Sequence, residues 1–184
     1  MWTVGLDLGQ VSDYSALAVV EREDDACFSL RHLQRFPLGT AYTTIAAQVT
    51  NFLRTRPLHG CPIVVDQTGV GRAFVDMLKP RVSSNPIIAV TITSGRRVSV
   101  ADDGGFRVPK KHLVVGLQRL LQNRQLKLPK SLPEVKTLIE ELHHFQGKIT
   151  ESANEVFGAW RTGSHDDLVL AVALACWHSQ QKEQ

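Results

Sequence analysis

Apolar and polar residues alternate from the first positions of the chain. Trp2, Val4, Leu6 and Leu8 fall on one side of a two-residue period, and Thr3, Gly5 and Asp7 on the other. That pattern predicts a strand over Trp2 to Leu8, with Asp7 at its end on the face opposite the leucines. A turn over Gly9 to Ser12 leads into a second apolar run, Ser15 to Val20. A third, Ala26 to Phe36, alternates imperfectly, with Phe28, Leu30, His32 and Gln34 assigned to one face. Short connections between the three predict an antiparallel meander. The period then changes. Ile45, Val49, Phe52 and Leu53 recur at helical spacing in a segment from Thr43 or Thr44 to about Arg56, where Pro57 and Gly60 end the helix.

Pro62 to Asp66 is wholly apolar until its last residue, as in a strand covered on both faces. Thr68 to Gly71 reads as a tight loop, Arg72 to Leu78 as a helix stopped by Pro80, and Pro86 to Thr93 as a fifth strand. A meander followed by helix, strand, helix and strand is an α/β plan, with a mixed sheet of about five strands flanked by helices. Ser94 to Arg107 is polar and contains glycines, a loop or short hairpin. Two more helices are expected, one from Pro109 with Leu113, Leu117, Leu120 and Leu121 on its apolar face, and one over Pro133 to His144. Phe145 to Trp160 reads as two short strands about a turn containing Asn154, a small β-hairpin near the C-terminal part. Then comes Gly163 to Trp177. Asp166 and Asp167 open a ten-residue apolar run, Leu168 to Trp177, which reads as a buried helix. Ser164 is placed to cap it, and acids in its first turn suit the helix dipole.

A chain of 184 residues is expected to form one domain, residues 1–184, with a substantial core. Its hydrophobic content of 43% and charged content of 21% are those of a soluble globular protein and argue against disorder. Cys27, Cys61 and Cys176 are odd in number and lack metal-site spacing, so they are expected to be reduced, mostly buried thiols in a cytosolic setting. No signal peptide is read at the N-terminus, and no apolar run approaches the ~20 residues of a membrane helix. The net charge of +3 says little, but its distribution says more. Between Arg96 and Lys136 stand ten Lys/Arg against three Asp/Glu, so the remainder of the chain is net acidic.

Asp7 and Asp66 each end an apolar strand, and Asp166 and Asp167 begin an apolar helix. Each aspartate alone suits a turn or a helix start. Together they suggest something else. Ligands often sit at the carboxyl ends of strands in open α/β sheets. Carboxylates converging in a partly buried place repel one another unless a cation neutralises them. An all-oxygen set suits Mg²⁺ or Mn²⁺ rather than Zn²⁺, and two such ions can hydrolyse a phosphodiester.

GLDLGQVSDYSALAVVE, VVDQTGVGRAFVDMLK and GSHDDLVLAVALA, in this order and spacing, resemble the three acidic motifs of the nuclease domain of tailed-phage terminase large subunits. The resemblance covers nearly the whole chain, and its third motif is the most specific. It implies an RNase H-like fold and a divalent-metal-dependent DNA endonuclease that cuts concatemeric viral DNA during packaging. By position it makes Asp7 the acid bridging two Mg²⁺ or Mn²⁺ ions and Asp66 the second acid. Asp166 or Asp167 supplies the third, with the choice between them open. Asp13 matches a further acid of the first motif in a supporting place, and His165 is set to hydrogen-bond substrate phosphate or a water on the metals. The family also carries an ATPase motor. No Walker A sequence is present here, since GVGR at Gly69 to Arg72 lacks the G-x-x-x-x-G-K-[ST] arrangement. An excised domain and a stand-alone relative both fit.

Acidic metal ligands repel DNA, so phosphate contacts must come from elsewhere. Arg96, Arg97, Lys110 and Lys111 flank the polar loop and are the candidates. The expected partners are double-stranded DNA and, as protein candidates, a separate ATPase motor, a small subunit or a portal, with no membrane. The expected setting is the host cytoplasm, for a phage or prophage protein. Three other readings stay open: a non-catalytic DNA-binding or assembly module, a Holliday-junction-resolvase-like nuclease, and an ATP-binding protein of the actin and sugar-kinase class. The last needs two such domains and far more chain.

Overall fold

A computed structural model describes residues 1–10, 13–149, 155–159 and 165–181. The first three strands are β1 (Trp2–Asp7), β2 (Ala16–Arg22) and β3 (Phe28–Arg35). They form the expected meander, with antiparallel pairing from Trp2↔Glu21 to Asp7↔Ala16 and from Ala16↔Arg35 to Arg22↔Phe28. The imperfect alternation of β3 has a physical cause. The register shifts at Val19/Val20, so Val20 pairs with Leu30 but Val19 with His32. This bulge reverses the side-chain phase. Phe28, Leu30 and Leu33 consequently share one core, while His32 turns to the other face and packs on Phe52, ring centroids 4.6 Å apart. His32 and Gln34 thus do not share a face with Phe28 and Leu30.

After the meander come α1 (Tyr42–Leu53), β4 (Ile63–Asp66), α2 (Gly71–Leu78) and β5 (Ile87–Thr93). The expected polar loop contains a hairpin, β6 (Ser99–Val100) with β7 (Phe106–Pro109). Then follow α3 (Lys110–Gln122), β8 (Leu126–Lys127), α4 (Val135–His144), β9 (Phe145–Ile149), β10 (Glu155–Ala159) and α5 (Asp167–Gln180). The main sheet has eight strands rather than about five, in the order β6-β7-β5-β4-β1-β2-β3-β8. β9 and β10 form the small antiparallel hairpin; the turn with Asn154, like Ser164 ahead of α5, lies outside the described residues.

The two faces of the sheet bury different residues. Val4, Leu6, Ile63 and Val65 meet α1 and α2. Ala18, Val20, Val64 and Val90 meet α3, α4 and α5. α5 is buried on all sides from Asp167 to Trp177, as a helix apolar around its circumference must be. It lies directly on β1 and β2. Gly5 permits that approach: a Cβ there would collide with the Ala171 carbonyl and stand 2.9 Å from the Ala175 nitrogen. No helix among the described residues is long and apolar enough to cross a membrane.

Candidate metal centre

The parallel register of β1 with β4 runs Val4↔Ile63, Gly5↔Val64 and Leu6↔Val65. One step further puts Asp7 beside Asp66, at the carboxyl ends of neighbouring strands that lie about 4.8 Å apart. Both acids fall on the face covered by α5, because Leu6 and Val65 point to the opposite core. The start of α5 brings Asp166 and Asp167 to the same place. Asp7 and Asp167 are buried, at 6% and 4% exposure, and Asp66 and Asp166 are half-buried.

These carboxylates act on one another electrostatically. Burial pushes the Asp7 carboxyl well above the ordinary carboxylate range, and the charges of Asp66, Asp167 and Asp166 push it further; Lys110 opposes them. Burial also raises Asp66, against hydrogen bonds from Thr68. Thr68 donates to Asp66 Oδ1 from its backbone N–H at 2.8 Å and from its hydroxyl at 2.5 Å, which fixes the orientation of that carboxylate. Burial carries Asp167 up to about 7; Arg35 pulls it down, while Asp166 and Asp13 push it up.

The flanking residues are sorted by the fold. Lys110, first in α3, donates to Asp166 Oδ2 at 2.6 Å and so belongs to the acid cluster. Lys111 is exposed one residue on, and Arg96 and Arg97 are exposed in the turn before β6. His165 Nδ1 lies 3.8 Å from Asp167 Oδ2 and 3.9 Å from Asp13 Oδ1, and its ring meets Tyr14 edge-on at 4.8 Å. Asp13 itself is exposed. A cavity of ≈ 380 Å³ beside the Thr68 turn is lined by Gln67, Arg72, Asp103 and Arg107 among others, and none of the four acids lines it.

Two residues here, Glu141, which is buried, and Arg35, which is half-buried, escaped the sequence reading. Glu141 of α4 accepts from the Leu168 and Val169 N–H groups at 3.1 and 3.2 Å, and from Arg35. Arg35 lies 3.9 Å from Asp167 Oδ2, and its guanidinium sits 4.6 Å from the centre of the Tyr14 ring. One signal was available. Glu141 follows Val135 and Leu138 at helical spacing, so a charge occupies the apolar stripe of α4. Asp166, not Ser164, holds the N-cap position of α5.

Among the described residues no three Asp, Glu, His or Cys side chains already enclose a space for an ion. The residues nonetheless fit a hard divalent cation. The set is all oxygen. Asp167 Oδ2 is buried with no hydrogen-bond partner among the described residues. Such an orphaned acceptor costs free energy unless something positive meets it.

The family model of the terminase RNase H-like domain matches residues 4–178. The chain belongs to that family. It is 26% identical over 176 residues to the terminase large subunit of Thermus virus P23-45, covering 95% of this chain and 31% of that protein. The chain thus spans about a third of the length of the curated relatives it matches. The large terminase nuclease of thermophilic phage G20c superposes with a TM-score of 0.72 at 24% identity, covering 99% of this chain and 83% of that one. The same nuclease with bound magnesium gives 0.71 at 24% identity, over 96% and 80%. These neighbours share the mixed sheet and flanking helices described above, the RNase H-like fold.

Proposed function

We propose that the chain is a divalent-metal-dependent DNA endonuclease, the cutting part of a terminase. The observation that carries this is the convergence of Asp7, Asp66, Asp166 and Asp167 at the strand ends, with Asp7 under the charge of the other three. Asp7, Asp66 and Asp167, the last through its orphaned oxygen, would hold two such ions. Mg²⁺ or Mn²⁺ bound there supplies activation of water and neutralisation of the leaving oxygen. The chain's own residues do the remaining work. Thr68 orients Asp66, Lys110 offsets the acids and holds Asp166, and Arg96, Arg97 and Lys111 grip backbone phosphates. His165, 3.8 Å from Asp167 Oδ2, would meet a phosphate oxygen. Translocation along DNA is assigned to a motor outside these residues, with a small subunit and portal as further partners, and the phage-infected host cytoplasm is the setting.

Plasmid nicking with EDTA, Mg²⁺ and Mn²⁺ tests this, comparing wild type with Asp7→Asn. Cleavage in either metal, absent in EDTA and reduced at least about 100-fold in the folded variant, is the expected result. A folded wild type that neither cleaves nor binds a divalent ion overturns the reading and favours a DNA-binding module.

A further inference from the structure

An aspartate at an N-cap ordinarily folds its carboxylate back onto the N2 or N3 amide of its own helix. Asp166 does not: it makes no cap hydrogen bond and reaches Lys110 instead. Both amides it would use are taken. Leu168 and Val169 give their N–H groups to Glu141 Oε2, at 3.1 and 3.2 Å, from another helix. A carboxylate there is favoured twice, by charge-assisted hydrogen bonds and by the positive end of the α5 dipole. The second Glu141 oxygen engages Arg35, which is thereby drawn to Glu141 while standing 3.9 Å from Asp167.

We propose that Glu141 is a positioning residue for the metal centre. It caps α5 from outside, so that Asp166 and Asp167 stay turned toward Asp7 and Lys110 instead of serving their own helix end. It also takes the hydrogen bond of Arg35, so that Asp167 Oδ2 keeps no hydrogen-bond partner among the described residues. Without it, two buried amides lose their acceptor, and the nearest replacement is the Asp166 carboxylate. This inference rests on the metal-site reading above.

The test is calorimetric titration of Mn²⁺ into the whole chain, with melting curves in EDTA to establish folding. Glu141→Ala should weaken Mn²⁺ binding about 10- to 100-fold, as loss of a partner behind a metal ligand does. Glu141→Gln keeps an oxygen for both amides and should restore most of the affinity. Glu141→Ala added to Asp166→Asn should cost less than it does alone, because the carboxylate that would fold back is gone. Should Glu141→Ala not fold, Glu141→Asp decides, since its shorter arm withdraws the oxygen from the amides while keeping the charge; weaker binding is expected. A folded Ala or Asp variant that binds Mn²⁺ as wild type does overturns the proposal, as does a Gln variant no better than Ala. A wild type that binds no Mn²⁺ is a different failure, that of the metal-site reading itself.

Discussion

Burial holds the Asp167 carboxyl at about 7, against the pull of Arg35. In the unfolded chain an aspartate titrates near about 3.9. A folded pKa raised above the unfolded one means that the native state binds the proton more tightly. Its contribution to stability is therefore complete below about pH 4 and is lost as pH rises to about 7. Asp167→Asn removes that loss. In EDTA the variant should melt above wild type, with a gap that opens above pH 4 and levels off above pH 7; a gap independent of pH would refute the assignment. Excess Mg²⁺ should reverse the order at pH 8, because the ion stabilises only the protein that binds it. The thiols offer a second reading of burial. Desolvation pushes Cys176 up to about 12 and Cys61 to about 11, and Cys27 is half-buried. A disulfide reagent at pH 8 should titrate one thiol in the native protein and three in denaturant. At this scale the sequence was informative where an acid stands at the end of an apolar element: Asp7 and Asp66 end strands, and Asp166 and Asp167 begin a helix. Arg35 and Glu141 meet across 106 positions of chain, and no local pattern joins them.

Period and length made the longer elements legible: the meander, β4, β5 and the five α-helices of the described residues follow from them. β8 did not, because two residues carry no period and it is defined only by the strand it joins, and β6 was legible only as half of a short hairpin, one of two readings of the polar loop. The bulge in β3 was visible only as broken alternation. The close seat of α5 on β1 was visible only as a glycine in a strand, a residue that weakens a strand unless another backbone must come near. Gly5→Ala should therefore destabilise by about 3 kcal/mol or more, the upper range for overpacking, since the colliding atoms are helix backbone. It should also weaken Mn²⁺ binding, by displacing the acids of α5 from Asp7. Gly116→Ala in α3 is the control. Its new Cβ meets nothing nearer than the Gln180 side chain at 3.6 Å, and the helix gains up to about 1 kcal/mol in propensity. Urea midpoints that move down for the first and not for the second would bear this out; equal midpoints for Gly5→Ala and wild type would contradict it.

Across the whole molecule, acidic and basic residues gather in different places. The acids gather at the carboxyl ends of β1 and β4, where an uncompensated site repels a polyanion. The segment from Arg96 to Lys136 has a net charge of +7 in a chain of +3, and begins with the exposed pair Arg96 and Arg97 before running into α3 and Lys110. Lys110 is committed to the acid cluster, so testing the proposed grip on DNA without disturbing the cluster means changing the two arginines. Each phosphate contact releases counterions and adds about 0.9 to the slope of log affinity against log salt. Arg96→Ala with Arg97→Ala, in an Asp7→Asn background that cannot cut, should bind duplex DNA more weakly and with a slope shallower by about 2. The loss should be equal for unrelated duplex sequences, because phosphate contacts carry no base information. Fluorescence anisotropy across a salt series measures both quantities. An unchanged slope would move the DNA path off this turn, to the other basic residues of α3; a loss confined to one duplex sequence would mean that the arginines read bases.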